Sequence, residues 1–348
     1  MTTAATTATT TTTSTAAITT TTACTAVTLS STTAATGRRE SPALRLLRAA
    51  RDGHLEQLAD APAMLASLSR SARQILLVTA AHQGSAQLVG LLLAMRDIDV
   101  NWVIAGGNTA LLAACESGHA EVLRRLLQAG ASMAIRNKRF LTPMLLACRS
   151  GDKNTAALLI EASAGRALSD ADVFGRSVLM YAASAGHASL VKYLVQPCLS
   201  SDPDAGTKAM RSAALHNQPT AILALHEAGV SIHAEDENGL TPLRAAASVY
   251  AVGSVYTLLK LGAELRVTDF TGQNALEGLL YRLDISTPNP QMVDTIIAII
   301  DGAAKPITIN VHTYQKLMFA AQTIKHGYLR NVLASATFCD HDGRTFRG

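Results

Sequence analysis

The chain of 348 residues carries 30 Lys and Arg against 26 Asp and Glu, a net charge of +4, with no basic block long enough to follow a phosphate backbone, so nucleic acid is excluded as the expected partner. Hydrophobic residues reach 48% but aromatics only 4%, so a core must be built from Ala, Leu, Val and Ile packed closely, which favours helix against helix. No run of 18 apolar residues is present to span a membrane. The five cysteines (Cys24, Cys115, Cys148, Cys198, Cys339) are irregularly spaced with no Cys-x-x-Cys pair, which indicates neither a disulfide framework nor a zinc knuckle and fits a reducing, cytoplasmic setting.

In chain order, residues 1–40 come first. About half of the first 37 are threonine, no charged side chain precedes Arg38, and too little apolar surface is available to offset chain entropy, so a disordered leader is expected. Two readings of it stand. One is a tail without a role; the other is an address, because plastid transit peptides and the export signals of bacterial secreted effectors are similarly rich in Ser and Thr and poor in acid.

From residue 41 the chain repeats. Thr109 is followed by Thr142, Ser177, Lys208, Thr241 and Asn274, at spacings of 33, 35, 31, 33 and 33 residues. Two residues ahead of these anchors stand Gly107, Phe140, Gly175, Gly206, Gly239 and Gly272, as a turn needing a positive φ would require. Nine residues after the first four stand Gly118, Gly151, Gly186 and Asn217. Each unit also carries a small pair at one helical position: Ala114-Cys115, Ala147-Cys148, Ala182-Ala183, Ala213-Ala214, Ala246-Ala247. Such a pair lets neighbouring hairpins approach closely, which makes Cys115 and Cys148 core residues. A second helix follows each hinge, with apolar residues at 3-4 spacing such as Val122, Leu123, Leu126 and Leu127. Weaker copies extend to "LRLLRAARDGHLEQL" (44–58) and "ILLVTAAHQGSAQLVGLLL" (75–93) upstream, and to "QKLMFAAQTIKHGYLRNVLAS" (315–335) downstream. The count is about nine helix-turn-helix units over 41–338, an all-α solenoid with short turn loops, followed by a polar tail at 339–348.

"GLTPLRAAASV" (239–249), "GNTALLAACESGH" (107–119) and "GRSVLMYAASAGH" (175–187) resemble the ankyrin repeat pattern. The likeness is divergent: Thr-Pro survives only at Thr142-Pro143 and Thr241-Pro242, and the histidine of the pattern is replaced by Leu112, Leu145, Met180, Arg211, Arg244 and Glu277. The resemblance implies that His54, His119 and His187 at the hinges bond between adjacent repeats, and that Asp172, Asp236 and Asp269 brace turns.

Chemistry is not expected. No phosphate loop, kinase signature or Gly-x-Ser-x-Gly elbow is found, Cys339 and His341 are too few to hold zinc, and the ends left by the array are short for a catalytic domain. No cofactor or metal is expected. What remains is surface: the turn tips and the outward side of the first helices, lining a concave face. Read there, the fourth unit is basic (Arg136, Lys138, Arg139, Arg149), and later tips are acidic (Asp170, Asp172, Asp202, Asp204, Glu235, Asp236, Glu237). Aromatics gather at the same places: Trp102, Phe140, Phe174, Phe270. Arg136, Lys138, Arg139, Phe140, Arg149, Asp172, Phe174, Arg211, Glu235, Glu237 and Arg244 are therefore the expected partner-binding residues. The function they imply is a monomeric, non-enzymatic scaffold for a partner protein, either a secreted effector or a resident cytosolic or plastid adaptor. The alternative is an enzyme, or a regulator of one, with its site within 284–348.

Overall fold

The computed structural model describes residues 41–55, 58–236, 238–265, 274–281 and 290–302, with short pieces at 307–308, 314–315, 317–319, 333, 337–339 and 345–347. The leader at 1–40, Glu237, Asp269, Phe270, most of the final hairpin at 315–335 and most of the 284–348 alternative lie outside them. The chain divides after Phe174 into two compact units.

The first unit is a row of helix pairs: α1 (Pro42–Arg51) with α2 (Ala61–Ser67), α3 (Arg70–Gln83) with α4 (Ala86–Leu93), α5 (Ala110–Ser117) with α6 (Ala120–Gln128), and α7 (Pro143–Ser150) with α8 (Lys153–Ala162). First helices α3, α5 and α7 stack side by side, as do second helices α4, α6 and α8. α5 is thus held between α3, α7 and its own partner α6, which explains its composition: Ala110 through Cys115 are all buried, as are Pro143 through Cys148 in α7. A helix enclosed on every side has no polar face to keep.

At Thr109, Thr142, Ser177 and Thr241 the repeating anchor is the N-cap of the first helix. Thr109 Oγ1 accepts the Leu112 N–H at 3.3 Å, Thr142 Oγ1 that of Leu145 at 3.3 Å, and Thr241 Oγ1 that of Arg244 at 3.3 Å, each satisfying a donor with no partner in the helix. The hinge glycine ends the helix: Gly118 has φ 75° and donates to Ala114 O. The next hinge then covers it. A Cβ on Gly84 would lie 2.6 Å from the His119 ring, and one on Gly118 would lie 3.0 Å from Asp152 Cβ, so here glycine serves close approach as well as conformation.

The second unit continues the plan with α9 (Val178–Ser184) and α10 (Ala188–Ser201), α11 (Ala205–Leu215) and α12 (Pro219–Glu227), α13 (Pro242–Ser248) and α14 (Val252–Lys260), and α15 (Ala275–Tyr281) and α16 (Pro290–Gly302). One register mark fails. α10 runs on to Ser201 with Pro197 inside it, and α11 starts at Ala205, so Lys208 and Gly206 are helical and no turn tip forms between them. Gly206 is small for a packing reason: a Cβ there would stand 2.9 Å from Val230 Cγ2 and 3.1 Å from Leu199 Cδ2. Asp202 and Asp204 belong to this short connection. Asp202 accepts from Asp204 N at 3.0 Å and from Lys208 Nζ at 3.1 Å, and the lysine contact holds its carboxyl below the usual range.

Three short strands accompany the helices at the C-terminal end: β1 (Ile307–Thr308), parallel to β2 (Thr337–Cys339), which is antiparallel to β3 (Thr345–Arg347). β3 lies within the stretch read as a polar tail. Phe338 opposes Phe346 in register and is fully buried, its ring 5.3 Å from that of Tyr314.

Candidate partner-binding surface

Each tip is a tight turn whose backbone donors are met locally. At the third repeat, Gly107 N–H donates to Ile104 O at 2.8 Å and Ile104 N–H to Asn108 O at 3.0 Å. At the fourth, Phe140 N–H donates to Asn137 O at 2.8 Å, and Asn137 Oδ1 accepts from Arg139 N at 2.9 Å and Leu141 N at 3.0 Å. In residues 170–174 the buried Asp172 takes the Phe174 N–H at 2.9 Å. At 236–240 Asp236 Oδ1 takes the N–H groups of Asn238 and Leu240, both at 2.8 Å. These are side-chain-to-backbone turns in which Asn and Asp do the same work.

The residue after the turn must enter the left-handed region. Gly107 (φ 84°), Gly175 (φ 72°) and Gly239 (φ 72°) do so freely. Phe140 does so at φ 58°, where a side chain strains the backbone by about 1–2 kcal/mol. Its ring stays 56% exposed, and Phe174 is 79% exposed. Between them, Arg136 Nη1 donates to Ala171 O at 3.4 Å, which ties the fourth tip to the following one. The Lys138 stem lies over Gly107, since a Cβ on that glycine would fall 2.6 Å from Lys138 Cγ. Arg136, Lys138 and Arg139 are all exposed, as is Glu235 in the second unit.

Four of the expected contact residues are engaged inside the fold. Arg149 pairs with Glu116 at 2.5 Å, Arg211 pairs with Asp236, Arg244 donates to Asn274 O at 2.7 Å, and Asp172 is buried on its turn. A charge that already has a partner has less to offer another molecule, because the internal bond must first be broken. Val103 and Val173 join the exposed tip residues, although sequence reasoning missed them. Their position in the turn register was the available signal; aliphatic character argued against it. Trp102 is half-buried beside Val103.

At His119 the hinge histidine bridges repeats as the family resemblance implies. His119 Nε2 lies 3.1 Å from His82 O, and Ser117 Oγ lies 2.7 Å from His82 Nδ1. Cys115 and Cys148 are fully buried; burial pushes the Cys115 thiol far up, and the Cys198 thiol up to about 11, with Asp202 adding to the latter. These thiols are core residues, not nucleophiles. Among the described residues no group of three or more His, Cys, Asp or Glu side chains could hold a metal ion, and no helix is long and apolar enough to cross a membrane.

Comparison with known proteins agrees with this architecture. The family described as "Ankyrin repeats (3 copies)" matches twice, over residues 46–137 and 133–207. The chain is 30% identical over 225 residues to the "Probable E3 ubiquitin-protein ligase XBOS32" of Oryza sativa subsp. japonica, a match that covers 64% of this chain and 38% of the rice protein's length. Among solved structures, the human ASB11 ankyrin repeat domain superposes with a TM-score of 0.53 at 24% identity, over 66% of this chain and 98% of that one. Residues 46–207 match the ankyrin repeat family, and the fold is that of ankyrin repeat domains. Its repeats form an array of a kind that generally mediates protein–protein interaction and is generally not catalytic.

Proposed function

We propose that the chain is a non-enzymatic scaffold that binds a partner protein on the face made by its turn tips and first helices. The carrying observation is Phe140: the backbone holds an exposed aromatic ring in a conformation that glycine adopts at the other tips. Strain retained at a solvent-exposed position supports a ligand-directed role, since relieving it by substitution with glycine would be simple. Tips whose backbone donors are met within the turn lose little entropy on association.

A photo-crosslinking residue placed at Phe140 or Phe174, and at Arg124 on the opposite second-helix side as control, tests this in extract. Adducts with protein at the first two and not at Arg124 are the expected outcome; adducts confined to Arg124 would remove the tip face. The 30% identity to the rice protein favours a second reading, in which the array is the binding arm of ubiquitin transfer. Adding the chain to ubiquitin-activating and ubiquitin-conjugating enzymes decides it: conjugates formed by the chain itself would replace the scaffold reading. Fusing residues 1–40 to a reporter separates work in the cytoplasm from work in a plastid or, for a secreted effector, in a host cytosol.

A further inference from the structure

We infer that the tips of the third to fifth repeats bind an acidic, extended segment of the partner in which Asp or Glu alternates with large apolar residues. This rests on the scaffold reading above and names the chemistry of its ligand.

The first argument is charge. At residues 172 and 236 the turn is braced by a carboxylate, but in the fourth repeat Asn137 supplies the same acceptor without a charge. The basic tip therefore contains no acid to oppose Arg136, Lys138 and Arg139. Nearby carboxylates are used elsewhere: Asp97 pairs with Arg73, Glu116 with Arg149, and Glu121 with Arg124 and Arg125. Asp172 is buried on its own turn and Asp170 is half-buried. No ion pair of Arg136, Lys138 or Arg139 is found among the described residues.

The second argument is placement. Arg136 Nη1 reaches the Ala171 carbonyl at 3.4 Å and the Lys138 stem passes over Gly107, so both exposed side chains lie between neighbouring tips. The third argument is apolar surface in the same row: Val103, Phe140, Val173 and Phe174 are all exposed. Adjacent repeats stack at about 10 Å, so three tips span about 20 Å. An extended chain rises about 3.3 Å per residue, so about six residues cross them, and their side chains alternate between two sides. Apolar residues can then sit on the tips while the intervening acids reach the cations. A nucleic acid fits less well, because three cations make no continuous track for phosphates.

The test selects short random peptides on the full-length chain, then measures the enriched peptide by fluorescence anisotropy. Enrichment of peptides that mix Asp or Glu with Leu, Ile or Phe is expected, with affinity falling as salt rises. Arg136→Glu, Lys138→Glu and Arg139→Glu together should weaken binding about tenfold or more, and Phe140→Gly several-fold. Should the triple variant fail to fold, Asn137→Asp gives the same reading, because it keeps the turn acceptor and adds one negative charge; about a threefold loss is expected. Enriched peptides that lack acid, binding indifferent to these variants, or displacement by a single-stranded oligonucleotide would overturn the inference. Cross-links from Phe140 and Phe174 to a partner whose contact segment is not acidic would overturn it too, while leaving the scaffold reading in place.

Discussion

At residues 137–141 and 236–240 two turns are built alike. Asn137 and Asp236 each receive two backbone N–H groups on a side-chain oxygen, each donates its own N–H to the residue four ahead at 3.2 Å, and each accepts the N–H three ahead, at 2.8 and 2.9 Å. They differ in what is left over. Asp236 has a second carboxylate oxygen, which draws Arg211 of the preceding first helix into an ion pair, so the acid and the base neutralise each other. Asn137 has no charge to share, and the three cations around it stay turned to solvent. Gly239 takes the left-handed position freely, whereas Phe140 holds a ring there. One amide in place of one carboxylate thus separates a tip that closes on itself from one that stays available.

The largest effect tests the shared support. Met144→Ala and Leu243→Ala, each two residues past its capping threonine, empty fully buried sites, and each should cost about 3 kcal/mol in urea denaturation; a loss below about 1 kcal/mol at either would break the equivalence. Next comes the brace. Asp236→Ala should cost about 2–3 kcal/mol, because two N–H groups and the half-buried Arg211 all lose their acceptor. Asn137→Ala should cost about 1–2 kcal/mol, and equal losses would mean that the ion pair adds nothing.

The left-handed position sharpens the contrast with opposite signs. Phe140→Gly should raise stability by about 0.5–1 kcal/mol in a thermal melt while weakening partner binding, and Gly239→Ala should lower stability by about 1 kcal/mol. A Phe140→Gly variant that is less stable would show that the ring supports the fold. The smallest effect is Asn137→Asp, which should leave stability within about 0.5 kcal/mol, since the acceptor oxygen is conserved and the tip is exposed. A large drop there would deny that the two braces are interchangeable.

The regular part of the fold was legible because it is local. Thr109, Thr142 and Thr241 cap helices, Gly118 and Gly151 turn at φ 75° and 84°, and all of these depend on the residue and its immediate neighbours. The reading failed at Lys208 because spacing alone cannot tell a turn from a longer helix: α10 gained a turn where the tip was lost, and the register stayed in step. The candidate site was half legible. Phe140 and Phe174 stood out as rare aromatics at turn positions, but Val103 and Val173 look like core residues in any one-dimensional pattern. Arg149, Arg211 and Arg244 read as available charges because their partners Glu116, Asp236 and Asn274 are about 25 to 33 residues away in the chain.

By itself the sequence determined the kind of unit, its period, its caps and which helix is enclosed, because each follows from backbone conformation and side-chain size within one hairpin. Only the stacked structure decided which charges are consumed. That depends on what the neighbouring repeat places within about 4 Å, where a partner either satisfies a guanidinium or leaves it to solvent.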